Sequence, residues 1–371
     1  MDKTTAKDVK STLAKLSKGS AALDNAYKDA LQRIEGQLGG HHELAKKVLS
    51  WITFAKRPLT TAEICCVLAV ESEEAEVDPE NIPDVEDLVS VCAGLVVVDQ
   101  ESAVIRLVHY TTQEYFERIS DAWDPGAQLH IATTCLTYLS FSAFRSGSCS
   151  TDEEFEERLQ QNVFLDYAAK HWGEHAGAVE AEIVGLACPF LLESGLLSCA
   201  TQVLLGPDYK YEGYSELCPT ITALHYTAQF GLSRVTERLL LIAGEDATNA
   251  VNAKDCWGEA PLVIAAEHGY SEMAKLLLDK DADVNAQGGE YGNALQAASA
   301  GGHEQVVKLL LNKGADVDAQ GGRYGSALYA ASSGGHRQVV MLLLNMDSDV
   351  NAQGGEYDIA LYRLHLEATS R

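Results

Sequence analysis

No Gly-Lys dipeptide occurs anywhere in the 371 residues, and no Cys-x-x-Cys pair, Gly-x-Ser-x-Gly elbow or run of 18 uninterrupted apolar residues occurs either. Each absence removes a class of protein. Without GxxxxGK[ST] there is no phosphate-binding loop of the usual kind. Without the serine elbow there is no α/β-hydrolase nucleophile, and without a long apolar run there is no evident membrane-spanning helix. The N-terminal MDKTTAKDVKSTLAKLSKGS lacks the apolar centre of a signal peptide, so an intracellular protein, cytoplasmic or nuclear, is expected.

Basic residues are also scarce. Lys and Arg total 28 against 54 Asp and Glu, a formal net charge of −26. The deficit is uneven: residues 1–50 carry +3, residues 51–220 carry −21 and residues 221–371 carry −8. So acidic a surface repels phosphate backbones, and neither direct nucleic-acid binding nor membrane binding is expected. Nine cysteines, an odd number, with Cys65, Cys92, Cys188 and Cys199 inside apolar stretches, read as buried free thiols in a reducing compartment.

What the chain does have is a period. EYGNALQAASAGGHEQVVKLLLNKGADVDAQGG and RYGSALYAASSGGHRQVVMLLLNMDSDVNAQGG superimpose, and Leu262, Leu295, Leu328 and Leu361 recur every 33 residues, as do Val251, Val284, Val317 and Val350. A 33-residue period is that of a finger followed by two antiparallel helices. Alanine and leucine of xALxxAA form a thin inner helix, and Gly269, Gly302 and Gly335 break the chain before the outer one. Leu276 to Leu278, Leu309 to Leu311 and Leu342 to Leu344 supply stacking surface.

Over about residues 219–371 these units resemble the ankyrin family. TALHYTAQFG, Thr222 to Gly231, is similar to its TPLHxAAxxG motif, and the resemblance implies a hydrogen bond between Thr222 and His225 that holds the turn. NALQAA and SALYAA lack both residues, so their turns must be held differently. From Leu224 to Leu262 the spacing is 38, and a loop near GEDATNA is expected to absorb the extra five residues. About four units precede a truncated fifth, IALYRLHLEATSR, with a frayed end.

In the front half, HELAKKVLSWITFA and RPLTTAEICCVLAV have helical spacing, the second with a Thr-Thr-Ala-Glu capping signal. The acidic ESEEAEVDPENIPDVED reads as loop; DLVSVCAGL is a third helix, and LVVVDQ with AVIRLVHY is a hairpin. Three helices and a hairpin make a winged helix. The expected fold is mainly α: an N-terminal helical segment (1–40), a winged-helix-like domain (41–120), a helical linker domain (121–218) and a C-terminal ankyrin-repeat solenoid (219–371).

KKVLSWITFAKRPLTTAEICCVLAV, DLVSVCAGLVVVD and RLVHYTTQEYF resemble the winged helix behind the nucleotide-binding core of fungal NACHT-type (STAND) signalling proteins, and YAAKHWGEHAGAV is similar to their helical linker. RLVHYTTQEYF matches FxHxxxQEFF with His109, Gln113 and Glu114, while Leu107 and Tyr115 replace phenylalanines. The resemblance implies that His109 is a candidate nucleotide sensor. With no phosphate-binding loop and only about 40 residues ahead of the winged helix, the chain looks like the rear of such a protein without its ATPase core.

Other chemistry is discounted. His171-Trp-Gly-Glu-His175 fits HxxEH, but Gly173 weakens the turn and no third zinc ligand is evident. His41-His42 reads as a solvated helix start, and Cys65-Cys66 lacks a basic neighbour. The third helix would offer Asp84, Glu86 and Asp87 to DNA. No catalytic residue, metal or cofactor is expected.

The expected function is a non-enzymatic adaptor or scaffold whose ankyrin surface binds another protein; a transcriptional coregulator acting through a protein partner fits as well. The expected contacts are the finger tips Glu290, Tyr291, Arg323, Tyr324, Glu356 and Tyr357 and the inner-helix positions Gln296, Ser299, Tyr329 and Ser332. The tyrosines have a second reading as braces between fingers. The alternative function is a degenerate NTPase relative that senses nucleotide through His109.

Overall fold

The structure is a computed structural model that describes residues 20–72, 74–206, 220–346 and 348–349. It divides into two units: 1–137 with 162–164, and 138–161 with 165–371.

In the first unit, α1 (Ser20–Glu35) buries Tyr27, Ala30, Leu31 and Ile34, which fall on one face at spacings of three and four. Helix α2 (His41–Phe54) buries Ala45, Val48, Leu49 and Trp51, and Phe164 meets the Trp51 ring edge-on at 5.6 Å. Strand β1 (Leu59–Thr60) runs into α3 (Thr61–Leu68) through a capping box. Thr60 Oγ1 accepts from the Glu63 N–H at 3.2 Å and the Thr60 N–H donates to Glu63 Oε2 at 2.7 Å. Arg57 pairs with the same, nearly buried carboxylate at 2.7 Å.

Helix α4 (Val85–Val91), β2 (Val96–Val98) and β3 (Val104–Leu107) complete a three-stranded antiparallel sheet in the order β1-β3-β2. Helix, strand, two helices and a hairpin is a winged helix. Helix α5 (Tyr110–Trp123) then packs back onto it: Gln113 Nε2 donates to the Thr53 carbonyl at 2.9 Å, and Tyr27 and Thr111 hydroxyls meet at 2.6 Å. Helix α6 (Ala127–Leu139) follows.

The second unit opens with α7 (Asp152–Gln161), α8 (Leu165–Ala176), α9 (Glu180–Leu192) and α10 (Ser194–Leu205); α9 and α10 meet at a bend of 97°. Four helix pairs follow: α11 (Ala223–Phe230) with α12 (Ser233–Ala243), α14 (Pro261–Glu267) with α15 (Ser271–Asp279), α16 (Ala294–Ala300) with α17 (Glu304–Asn312), and α18 (Ala327–Ser333) with α19 (Arg337–Asn345). The five extra residues do not form a loop. They extend the first outer helix through a 3₁₀ turn (Gly244–Asp246) into α13 (Ala247–Val251), because Val251 gains a fully buried seat by staying helical.

Identical contacts join successive pairs. Asn252 Oδ1 accepts from the Asp283 N–H at 2.7 Å, Asn285 Oδ1 from Asp316 at 2.8 Å, and Asp318 Oδ1 from Asp349 at 2.8 Å, a ladder with a step of 33. Gly231, Gly269 and Gly302 sit at φ of about +70°, where a β-carbon would also strike the next pair's Tyr270, His303 and His336 rings at 2.7, 2.4 and 2.3 Å. His303 and His336 bond back through Nε2 to the carbonyls of Glu267 (2.7 Å) and Ala300 (2.8 Å).

At the front of the array Trp172 of α8, fully buried, stacks on Tyr226 at 6.0 Å and 14° and donates to its hydroxyl at 3.3 Å, while Tyr226 donates to the Ala169 carbonyl at 2.8 Å. The linker thus closes the first stacking face. Seven cysteines are free and buried, but Cys256 is disulfide-bonded, so the expectation of thiols throughout is corrected. Val350, Leu361, Glu356, Tyr357 and the expected fifth unit lie outside the described residues.

Candidate protein-binding surface

The four inner-helix positions expected to contact a partner do not face outward. Gln296 and Ser299 are 0 % exposed, Ser332 6 % and Tyr329 8 %. Helix α16 lies between α14 and α18, and sequence variation within that layer reflects how each neighbour is fitted, not what reaches solvent. Gln296 donates from Nε2 to the Ala319 carbonyl at 2.9 Å in the next finger, while Asn293 Oδ1 accepts the Gln296 N–H at 2.9 Å. Ser326 Oγ caps the next unit by accepting from the Tyr329 N–H at 3.2 Å.

At the finger tips Tyr291 and Tyr324 stack at 6.1 Å and 19°. The Arg323 guanidinium lies 5.5 Å from the first ring centre and 4.6 Å from the second, and it pairs with the Glu290 carboxylate and donates to the Tyr324 hydroxyl at 2.6 Å. The Tyr291 hydroxyl donates to Glu267 Oε1 at 3.1 Å; burial, followed by the Glu267 charge, raises its pKa well above the tyrosine range. Tyr291 and Tyr324 therefore brace adjacent fingers, and only their remaining faces, with Glu290 and part of Arg323, meet solvent.

Beside this brace lies a cleft of about 330 Å³. Its wall carries Asp255, Glu259, Glu267 and Glu290 with Trp257, Tyr226 and Tyr291 and, among the described residues, neither lysine nor arginine. Asp255 is a turn clamp, its Oδ1 accepting from the Trp257 N–H at 3.0 Å and the Glu259 N–H at 2.8 Å. Glu259 is held among like charges. Burial first, then the carboxylates of Asp255, Glu267 and Glu290, push its pKa up to about 7. Trp257 stands at the rim, 37 % exposed.

A recess with aromatic walls and crowded carboxylates suits a lysine or arginine side chain, whose charge relieves the repulsion and whose stem packs on the rings. Trp257 and Glu259 were missed in the sequence although a signal was there. WGEA stands where the later fingers have EYGN and RYGS, so an indole and a carboxylate replace the pattern in one unit only.

The remaining candidates are placed as follows. His109 is exposed; its Nδ1 accepts from the Thr111 N–H at 3.2 Å and lies 2.9 Å from the Thr111 hydroxyl, so the ring caps the start of α5. His175 is fully buried with Nε2 2.8 Å from the Tyr167 hydroxyl, and His171 Nδ1 lies 2.7 Å from Glu174. Among the described residues no three His, Cys, Asp or Glu side chains are grouped to hold a metal ion, and no single helix is long and apolar enough to cross a membrane.

Residues 32–125 match the family model for the winged helix domain of GPI inositol-deacylase. Residues 192–288 and 285–354 match the model for ankyrin repeats in three copies, so the match starts at the last residue of α9, before the Thr222 motif. The chain is 30 % identical over 284 residues to azaphilone pigments biosynthesis cluster protein L of Monascus ruber, covering 69 % of this chain and 52 % of that protein. It spans about half the length of that curated relative.

Proposed function

We propose that this chain, which joins a winged-helix domain to ankyrin repeats, is a non-enzymatic adaptor that binds a basic segment of another protein in the cleft of its first fingers. The observation that carries the reading is the cleft itself: four carboxylates, of which Arg323 pairs with Glu290 at the rim, and three aromatic rings, with neither lysine nor arginine among the described lining residues. Ankyrin repeats are a binding architecture, and their stacked units present an open surface. Glu290 and Arg323, with the outer faces of Tyr291 and Tyr324, form the rim beside it. The winged helix is read as a regulatory module; its acidic third helix disfavours direct DNA contact.

The name of the matched relative, a pigment-biosynthesis cluster protein, supports a place for this chain beside a biosynthetic pathway, as a regulatory factor that works through a protein partner in cytoplasm or nucleus. The test is retention of partners from cell extract by wild type and by a Glu259→Lys, Glu267→Lys double variant, with cooperative melting of both checked first. Loss of a specific partner from the variant, restored by neither low salt nor added zinc, is expected. A folded variant that keeps every protein the wild type keeps overturns the reading.

A further inference from the structure

The winged helix carries a second surface, at the edge of its sheet. Strand β2 is an edge: it pairs with β3 on one side only, in the register Val96 with Leu107, Val97 with Arg106 and Val98 with Ile105. The Asp99 N–H donates to the Val104 carbonyl at 2.8 Å and the Val108 N–H to the Leu95 carbonyl at 2.9 Å. Residues 95, 97 and 99 therefore face β3, and alternation turns the backbone N–H and C=O of Val96 and Val98 the other way.

A groove of about 680 Å³ lies between β2 and the Val85, Glu86 and Val89 face of α4, and it extends past the hairpin to Thr61 and Ala103. All three β2 residues line it. Successive strand residues point to opposite faces, so a groove touched by all three reaches the strand's edge.

Charge says what fits there. Between Arg57 and Arg106 the sequence has twelve Asp or Glu and no Lys or Arg. Glu86 and Asp99 stand on the groove itself. A second copy of this edge would bring the same charges face to face, which is how natural edge strands avoid self-pairing. A basic strand meets no such barrier.

We infer that the β2 edge receives an extended, basic segment of another protein, which adds to the sheet as a fourth strand with its apolar side chains between β2 and α4. This surface is separate from the ankyrin cleft, and either can fail without the other.

The experiment is fluorescence anisotropy of a labelled peptide of about seven residues, alternating valine and lysine, titrated with the full chain; a valine–glutamate peptide is the control. Saturable binding of the lysine peptide alone is expected. Val98→Pro should abolish it while leaving the melting transition in place, because the N–H it removes points away from β3. Glu86→Lys, on an exposed side chain, should weaken it by about tenfold or more.

Equal binding of both peptides, undiminished binding by Val98→Pro, or absence of binding by the wild type overturns the inference. So does a dimer of the chain that Val98→Pro dissolves, since the occupant would then be a second copy.

Discussion

The joint between the first two repeats and the joint leaving the third do the same work with different chemistry. In the first, the Thr222 N–H donates to His225 Nδ1 at 3.1 Å, and Nε2 reaches the Glu259 carbonyl at 3.0 Å. A backbone N–H can only donate, so the ring is neutral with its proton on Nε2. In the third, Asn293 takes the cap and Gln296 reaches the Ala319 carbonyl at 2.9 Å. An amide does what the imidazole does, without a titrating group. The lesson is that the requirement is a donor from the inner helix to the next finger, and that of these two donors only His225 is a titrating group.

The joints also lean on different supports. The first packs against Trp172, Phe190 and Phe230, whereas the third lies between near-copies of itself. Trp172→Ala should give the largest effect, about 3–5 kcal/mol, and it should be local. Hydrogen exchange is expected to show α11 and α12 opening early while α16 to α19 keep their protection. Uniform loss across all four pairs would mean that the array does not divide as a chain of neighbours does.

Next in size is Gln296→Ala, expected to cost about 1–3 kcal/mol by leaving the Ala319 carbonyl without its amide donor. Gln296→His should recover much of that near neutral pH and lose it in acid. A histidine variant as stable at pH 5 as at pH 7.5, by chemical denaturation, would break the equivalence drawn between the two joints.

These comparisons show how far the sequence could be read. The 33-residue period and the Thr60–Glu63 cap were legible because each is a local pattern, and the Thr222–His225 bond was legible through the resemblance of TALHYTAQFG to the ankyrin motif. Gln296 and Ser299 were misplaced because variation between repeats reveals which positions differ, not which way they face. The Ala247–Val251 helix was hidden for another reason: five residues carry little helix preference of their own, and packing of Val251 decides. The cleft was the least legible. Asp255, Glu259 and Glu267 come from one repeat and Glu290 from the next, and stacking is what brings Glu290 to their wall.

A smaller effect follows from His225 itself. Burial lowers its pKa, outweighing the Glu259 carbonyl, which favours the charged ring. A depressed pKa means that the unfolded chain binds the proton more readily. The joint's stability is thus complete above the unfolded value of about 6.5 and declines as pH falls below it. His225→Gln should flatten that decline, by about 1 kcal/mol at pH 5. Melting temperatures of variant and wild type that fall in parallel between pH 7.5 and pH 5 would assign the acid sensitivity elsewhere.

Glu259 bends the same joint in the opposite direction, and no later finger can copy it because Gly292 and Gly325 stand at its place in the repeat. Its carboxyl is raised from 4.5 to about 7, so the folded chain holds the proton longer than the unfolded one. That stabilisation is fully present below about 4.5 and is lost as pH rises through about 7. Glu259→Gln should then be neutral at pH 4 and stabilising at pH 8, by about 1 kcal/mol once its half-exposed position is discounted for solvent screening. A bound lysine or arginine would supply the same relief while leaving the carboxylate ionised, so wild type should take up a basic peptide with release of protons near pH 7. Calorimetry in two buffers of different ionisation enthalpy reads that release, and identical heats in both would separate the shifted carboxyl from binding.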